Sequence, residues 1–320
     1  MQEKTMWSRR QFVTSGLAGI GLTAALPSVL AGVSTTQESA RQDVRIPITM
    51  CHGITDRLTL ERFEQYLRIA SELGFSTISY DQLYLWLTGA GTLPAHPLMI
   101  DVDHPVRSVS TDIFPLMREY GFTGNLFINT AYFGEVCGNT FDLFGRTRGN
   151  SVDAGQPMCA TWNQIHQLMT SGWTIGAHTH THPNLSELSL TDPAGQVLRA
   201  EMDTNDALLE EYLGLRPEHF AFTGNSTGVT WSTVADIEAR KRYRLGRLWI
   251  IGNKCEIDGK VERYADFVGA TGADEADGGP PHAARYITRN TPLFRLPSME
   301  LEHLIYEPEA FRQYLTLALG

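Results

Sequence analysis

Three of the ten histidines lie within five residues, in the stretch Gly176-Ala-His178-Thr-His180-Thr-His182-Pro183. In an extended strand all three side chains share one face, whereas in a helix only His178 and His182 converge. Both geometries therefore pair His178 with His182, and Pro183 favours a strand end that runs into a loop. Converging neutral imidazoles suit a metal ion such as Zn²⁺. The stretch predicts a metal site, in preference to a polar surface strand whose histidines have no function.

A pair of carboxylates follows the apolar run Pro97-Leu-Met-Ile100. Asp101 and Asp103 are separated by Val102, so in an extended chain both face the same way. Carboxylates behind an apolar run are costly to bury unless they bind something. The alternative is that Asp103 caps a turn and Asp101 is solvated. Beside the histidines, the pair completes a site of two imidazoles and one carboxylate, with the spare carboxylate as a general base.

A carboxylate pair of this spacing also occurs where glycosyltransferases hold a divalent ion against a sugar diphosphate. That interpretation leaves the histidines of residues 178–182 unexplained. We therefore rank it last.

Strand-like and helix-like patterns alternate at least six times along the chain. This alternation predicts an α/β fold with a parallel sheet, open or closed into a barrel. The predicted strands cover residues 45–50, 76–80, 97–100, 124–128, 173–177, 219–223, 245–251 and 293–297. The predicted helices cover residues 59–73, 82–87, 108–120, 162–169, 192–213, 232–242 and 308–319. The aspartates and histidines fall just past predicted strands, so one rim of a barrel would collect them.

The charge distribution excludes one class of partner. The chain has 320 residues and a formal net charge of −10. Residues 1–32 contribute +2, so the remainder carries −12. Because so acidic a body repels a phosphate backbone, we expect no nucleic-acid partner.

The first 32 residues have the pattern of an export signal. Arg9 and Arg10 precede a charge-free, small-residue stretch over residues 15–30. The paired arginines resemble the twin-arginine type of signal, which implies the corresponding export machinery as a partner and a periplasmic or extracellular location. An uncleaved membrane anchor is the alternative. Residues 33–44 are predicted to be a linker, and residues 45–320 to be the catalytic domain.

The four cysteines, at positions 51, 137, 159 and 255, have no metal-binding spacing. An oxidising compartment permits disulfides, and Cys137 with Cys159 would close a loop. Buried free thiols are the alternative.

These motifs carry a resemblance to the polysaccharide deacetylase family, also called the NodB-homology family or carbohydrate esterase family 4. The stretch Thr174–Leu185 is similar to the family's His-[Ser/Thr]-x-x-His motif, and Leu98–Asp103 to a variant of its aspartate motif. The opening Thr49-Met-Cys-His52-Gly-Ile and the strand Gly124-Asn-Leu-Phe-Ile resemble the poly-N-acetylglucosamine deacetylase branch. The resemblance covers the chain from about Ile46 onward and implies a distorted (β/α) barrel of the NodB-homology type.

The resemblance also implies roles for the site residues. Asp101 would be the base, and Asp103 with His178 and His182 would hold one divalent metal ion, expected to be Zn²⁺. His180 would lie behind the metal ligands and not among them.

Two motifs depart from the family pattern. Phe220-Ala-Phe-Thr-Gly224-Asn225 occupies the place of a proline-containing turn, although the backbone N–H of Gly224 could still stabilise an oxyanion. The family's late Leu-x-x-His motif, which supplies the general acid, has no clean match. His303, His52, His104 and His282 are the candidates, and the general acid is left unassigned.

The expected function is metal-dependent removal of N-acetyl groups from an amino-sugar polymer or oligosaccharide, with release of acetate. One alternative is a deacylase or amidohydrolase acting on an O-acetyl ester or a small cyclic amide, suggested by the altered Phe220–Asn225 turn. Another is a non-catalytic exported glycan-binding protein. The expected partner is an acetylated glycan, and the oligomeric state is left open.

Overall fold

Seven parallel strands close into a barrel that forms the centre of the protein. A computed structural model describes residues 44–133, 159–250, 254–268, 285–302 and 307–320. Residues 1–43 lie outside this description. The predicted signal, and the predicted linker up to residue 43, therefore lie outside the description.

The seven barrel strands follow one another around the ring in chain order. They are β1 (Ile46–Cys51), β3 (Pro97–Asp103), β4 (Asn125–Ile128), β5 (Thr174–Ala177), β6 (His219–Ala221), β9 (Leu245–Ile250) and β13 (Leu296–Glu300). Each pairs in parallel with the next, and β1 closes the barrel by pairing with both β3 and β13. The predicted (β/α) barrel is thus confirmed.

The remaining strands lie outside the closed ring. Strand β2 (Ser76–Thr77) extends the sheet beside β3, and β12 (Tyr286–Ile287) pairs antiparallel with β1. A second sheet has the order β11-β10-β8-β7 and comprises β7 (Gly224–Asn225), β8 (Gly228–Trp231), β10 (Lys254–Ile257) and β11 (Lys260–Arg263). The sequence does not predict this second sheet, because its strands have only two to four residues and little alternation.

Helices cover the outside of the barrel. They are α1 (Leu60–Glu72), α2 (Tyr80–Leu87), α3 (Phe114–Glu119), α4 (Trp162–Thr170), α5 (Leu185–Thr191), α6 (Gln196–Leu213), α7 (Thr233–Arg240), α8 (Tyr264–Phe267) and α9 (Pro308–Ala318). A π-helical turn, Val109–Ile113, leads directly into α3. Helix α1 buries Phe63, Tyr66 and Leu67, and Tyr66 packs against Phe311 of α9 with ring centroids 4.6 Å apart.

Element boundaries depart from the predictions where polar residues decide them. The sequence assigns the cap of the second helix to Asp81, but Ser79 caps α2 and forms a capping box with Gln82. The single helix predicted over residues 192–213 is preceded by a separate helix α5, which begins after the Asn184 cap. The last barrel strand lies three residues later than predicted.

Cysteine states follow from burial and pairing. Cys159 is disulfide-bonded, while Cys137, its predicted partner, lies outside the described residues. Cys51 and Cys255 are buried free thiols, in accord with the alternative stated above for those two positions. Within the described ranges, no helix combines the length and apolar character that crossing a membrane requires.

Candidate active site

The predicted site residues converge at the carboxyl ends of two barrel strands, β3 and β5. Asp101 and Asp103 belong to β3, and His178 and His182 follow β5. Strand β4 lies between them and pairs with both. Parallel strands place their carboxyl ends at one rim, so the juxtaposition that the sequence predicts is present.

Three histidines form a compact group, here called the imidazole cluster: His104, His178 and His182. Their ring centroids are 5.3 Å (His104 to His178), 5.0 Å (His104 to His182) and 4.7 Å (His178 to His182) apart. One nitrogen from each ring lies within 4.8 Å of the other two. The cluster can therefore offer three nitrogen ligands to one ion.

A left-handed backbone places two of these side chains. His104 has a φ of 66° and His182 a φ of 60°, and Thr179 between the strand and His182 has a φ of 62°. Such conformations are strained for residues other than glycine and occur preferentially at functional sites. Residues 178–182 therefore lie in a loop that follows the end of β5, as the sequence predicts.

His180 points elsewhere as a result. Its Nδ1 lies 2.8 Å from Oγ1 of Thr130, and its backbone N–H donates to Glu201. The imidazole cluster does not include His180.

Hydrogen bonds fix the protonation of two cluster histidines. The Nδ1–H of His178 donates to the carbonyl oxygen of Ala221 at 2.8 Å, and that of His104 donates to Oδ1 of Asn129 at 2.8 Å. Burial lowers the pKa of both imidazoles well below the ordinary value, and the neighbouring histidines add to the effect. Burial also lowers the pKa of His182 to about 4. All three rings are thus neutral near pH 7, with lone pairs available to a ligand.

The two aspartates have different surroundings. Asp101 is completely buried and accepts hydrogen bonds from the Tyr80 hydroxyl at 2.6 Å and the Asn125 amide at 2.9 Å. Burial raises its pKa to about 7, although the charge of Arg247 opposes the shift. Asp103 instead lies beside the cluster, with its Oδ2 3.8 Å from Nε2 of His178.

Arg247 joins the two carboxylates inside the barrel. This fully buried side chain on β9 donates from Nη2 to Oδ1 of Asp103, and its Nε lies 3.3 Å from Oδ2 of Asp101. Its Nη1 donates to Ser298 at 3.0 Å, and its guanidinium lies 5.0 Å from the ring centroid of Phe127. Arg247 therefore binds one carboxylate oxygen of Asp103, and the other oxygen faces His178.

A divalent ion fits the residues present. Among the described residues, the buried Nε2 of His104 has no hydrogen-bond partner, which is costly for a polar atom unless a ligand binds it. Nitrogen donors from neutral imidazoles match the preferences of Zn²⁺ and similar ions. The imidazole cluster thus offers three donors, and Oδ2 of Asp103 lies 3.8 Å from Nε2 of His178. The expected ligand set of Asp103, His178 and His182 stays a prediction.

A second polar group lies next to the cluster. His52, which follows β1, stacks on His104 with centroids 5.6 Å apart, and its Nδ1 lies 2.9 Å from Glu302. Burial opposes a charge on His52, but the charge and hydrogen bond of Glu302 outweigh it and raise the pKa to about 9. Burial raises the pKa of Glu300 to about 8. Of the other proton-donor candidates, His104 belongs to the cluster, and His282 and His303 lie outside the described residues.

Gly224 occupies a restricted position. It begins β7 and pairs with Val229 of β8, and a Cβ there would meet Cε3 of Trp249 at 1.9 Å. Trp249 in turn packs edge-on against His52 at 5.1 Å. Glycine is thus required for this close approach, and the predicted oxyanion role of its N–H stays a prediction.

Three residues of the site are not predicted from the sequence. They are Arg247, Tyr80 and Asn125, and all three contact Asp101. Arg247 could have been found, because it is a charged residue inside the apolar run Leu245–Ile251, where a buried strand is expected. No comparable signal marks Tyr80 or Asn125.

Imidazoles beside a carboxylate at the rim of a barrel are typical of sites that activate water for hydrolysis. Residues 90–240 match the polysaccharide deacetylase family. This match indicates a domain of that family, also called the NodB-homology family or carbohydrate esterase family 4, over residues 90–240. Family and fold together support a hydrolytic carbohydrate deacetylase. No curated protein sequence matches the chain.

Solved structures agree in fold. Streptococcus pyogenes deacetylase PplD in complex with acetate is 16% identical, with 85% of this chain and 99% of that chain covered and a TM-score of 0.57. IcaB from Ammonifex degensii is 17% identical, with 87% and 99% covered and a TM-score of 0.56. The BpsB deacetylase domain from Bordetella bronchiseptica is 15% identical, with 80% and 96% covered and a TM-score of 0.54. At these identities the likeness shows the shared fold.

Proposed function

We propose that the protein hydrolyses N-acetyl groups on an amino-sugar polymer or oligosaccharide and releases acetate. The observation that carries the proposal is the free oxygen of Asp103, held 3.8 Å from His178 at the rim of the barrel. The match to the polysaccharide deacetylase family supports the substrate class. The deacetylase names of similar structures, PplD and BpsB, point the same way.

His178 and His182 would hold a divalent ion, which we expect to be Zn²⁺. When bound, the ion would supply a Lewis acid that lowers the pKa of water and polarises the acetamide carbonyl. The hydrogen bond from His178 to Ala221 would keep the ring oriented during turnover.

Asp103 would act as the general base. Arg247 holds its Oδ1, so Oδ2 is positioned to accept the proton of the attacking water. The water oxygen would add to the acetamide carbon, the C–N bond would break, and the amine nitrogen would take a proton as it leaves. This assignment differs from the expected base, Asp101, whose oxygens face Tyr80, Asn125 and Arg247.

The proton for the leaving amine would come from a donor at the same rim. His52 has the placement that this role needs, because its ring stacks on the cluster and Glu302 binds both its Nδ1 and its backbone N–H. Glu302 would thereby orient the ring toward the reacting atoms.

Acetate release from acetylated chito-oligosaccharides, measured with and without chelator and together with metal content, tests the proposed function. We expect acetate that disappears on chelation and returns when Zn²⁺ is added. Acetate from acetyl esters alone would instead assign an esterase. Glycan binding without metal or acetate would assign a binding protein.

Two matched variants test the base. Asp103→Asn should lower kcat by about 10²–10⁴-fold and leave metal content unchanged. Asp101→Asn, the same change two residues earlier in β3, should lower kcat much less. If Asp101→Asn abolishes turnover while Asp103→Asn loses the metal, the roles implied by the family resemblance hold instead.

Export by the twin-arginine route stays a prediction from residues 1–32. Fractionation of cells that express the full chain would test it, since retention of all protein in the cytoplasm would contradict export.

A further inference from the structure

We infer that Glu256, in β10 of the second sheet, is a positioning residue of the site. It fixes the loop that follows His182 to the turn that begins at Gly224. The inference deepens the proposed function, on which it rests for the need to keep these two segments at a set distance. Glu256 acts through two asparagines, Asn184 and Asn225.

The carboxylate of Glu256 joins the two segments through one asparagine on each. Its Oε1 accepts a hydrogen bond from the side-chain amide of Asn184 at 3.0 Å, and its Oε2 accepts one from the side-chain amide of Asn225 at 2.8 Å. Asn184 comes two residues after His182, and Asn225 directly follows Gly224. A single carboxylate therefore spans from the histidine-bearing loop to β7.

Both asparagine side chains are fixed with their NH2 groups toward Glu256. Oδ1 of Asn184 accepts two backbone N–H groups in the first turn of α5, at 3.0 and 3.1 Å. Oδ1 of Asn225 accepts the backbone N–H of Thr227 at 2.8 Å. Because a backbone donor already occupies each amide oxygen, neither amide can reverse without losing a hydrogen bond. Two fixed donors that face one side chain require two acceptor oxygens, which a carboxylate supplies.

Two threonines, Thr223 before β7 and Thr230 in β8, hold the same loop. The hydroxyl of Thr223 donates to the carbonyl of Pro183 at 2.6 Å. The hydroxyl of Thr230 accepts the N–H of Leu185 at 3.0 Å and donates to the carbonyl of Thr223 at 3.0 Å. Both threonines are completely buried. The loop and the turn thus form one hydrogen-bonded unit, of which Glu256 is the charged member.

The two joined segments lie against groups that the proposed reaction needs. The loop carries His182, whose ring centroid is 4.7 Å from that of His178 and whose φ of 60° the surroundings must maintain. The turn carries Gly224, which packs on Trp249 next to His52. Misplacing reacting groups by about 1 Å can lower a rate by about 100-fold. The bridge at Glu256 therefore keeps the two sides of the site in register.

Turnover of Glu256→Gln, measured on the full chain at saturating Zn²⁺, tests the inference. Glutamine keeps the shape but has one acceptor oxygen, so its NH2 group would face that of Asn225. We expect kcat to fall by about 10- to 100-fold. KM should change by less than about threefold, because the bridge acts on the reacting groups and not on substrate binding.

Glu262→Gln is the matched control, because Glu262 is an exposed residue of the neighbouring strand β11. This variant should have the wild-type kcat. A kcat of Glu256→Gln equal to that of the control would overturn the inference.

Exchanging the two partners should restore the bridge. When Glu256→Gln is combined with Asn225→Asp, the introduced amide can donate to the introduced carboxylate, which still accepts the N–H of Thr227, and the net charge is unchanged. We expect kcat to return to within about threefold of the wild type. Asn225→Asp alone sets two carboxylates against each other and should lose at least as much activity as Glu256→Gln. A double variant no more active than the single variants would overturn the inference, because general destabilisation is not reversed by a second substitution.

Hydrogen exchange of the metal-free protein gives a readout that does not depend on turnover. The N–H of Thr227 is bound by Asn225, which Glu256 holds. We expect this amide to exchange about tenfold faster in Glu256→Gln and at the wild-type rate in the double variant. Unchanged exchange in Glu256→Gln would overturn the inference. A wild-type protein that shows the expected exchange pattern yet releases no acetate would contradict the proposed function alone.

Discussion

Arg247 is the residue on which both buried aspartates depend. Its guanidinium is the positive charge that contacts Asp101 and Asp103 inside the barrel, and the side chain is completely buried. Removing one partner from a buried ionic group leaves the others uncompensated, which costs far more than the loss of an exposed pair. The orientation of Asp103, and hence the chemistry, therefore depends on a strand distant in sequence.

Arg247→Met should lower the free energy of unfolding by about 3–5 kcal/mol and abolish acetate release. Urea denaturation measures the first effect. Arg312→Met is the matched control, because Arg312 pairs with Glu72 at 2.6 Å on the surface and an exposed pair contributes at most about 1 kcal/mol. Equal, small losses in both variants would show that the aspartates need no counter-charge.

At the scale of elements, close contact between β4 and β5 positions the imidazole-bearing loop. Gly176 of β5 lies over Phe127 of β4, where a Cβ would meet Cε1 of Phe127 at 2.4 Å. Phe127 also packs edge-on against Tyr80 with centroids 5.1 Å apart and lies beneath Arg247. A side chain at residue 176 would therefore displace the ring that supports the ionic group.

Gly176→Ala should destabilise the fold by about 1–3 kcal/mol through overpacking. Adding Phe127→Leu should relieve part of this cost, since it shortens the side chain that is in the way. A double-mutant cycle on unfolding free energies measures the coupling, which we expect to exceed about 0.5 kcal/mol. Strict additivity of the two changes would contradict the contact.

Regular elements with a clear period are predicted well from the sequence. The 3.6-residue spacing of Phe63, Leu67 and Ala70 predicts α1, and the apolar run Pro97–Ile100 predicts β3. The small sheet β7-β8-β10-β11 is missed, because strands of two to four residues are selected by their neighbours and not by their own pattern.

At the scale of the whole molecule, stability should depend on pH through a buried acid remote from the site. Asp206 on α6 is 7% exposed and accepts a hydrogen bond from Tyr243 at 2.9 Å. Burial raises its pKa to about 6, although that hydrogen bond opposes the shift. The folded state thus binds this proton more tightly than the unfolded chain.

The sign of the effect follows from the raised pKa. The contribution of Asp206 is fully present below its ordinary pKa of 3.8 and is lost as the pH rises to about 6. The Asp206→Asn variant cannot lose this contribution. The free energy of unfolding of the variant, relative to that of the wild type, should therefore be about 2 kcal/mol higher at pH 7 than at pH 4. Urea denaturation at both pH values measures it. Asp203→Asn, an exposed neighbour on the same helix, should change stability by less than about 1 kcal/mol, and a pH-independent difference for Asp206→Asn would contradict the prediction.

The α/β fold with a parallel sheet and the pairing of His178 with His182 are determined by the sequence itself. Both follow from local information, namely alternating strand and helix patterns and the spacing of side chains along one segment. The same information places the aspartates and histidines at one rim.

The tertiary structure alone distinguishes the two carboxylates and brings His104 into the imidazole cluster. Asp101 and Asp103 share a spacing and a face, so the sequence cannot separate them, whereas Arg247 and Tyr80 do so from β9 and α2. His104 reaches the cluster through a left-handed turn that no strand pattern predicts. Side chains far apart in sequence meet only when the barrel closes, so these contacts cannot be predicted from local patterns.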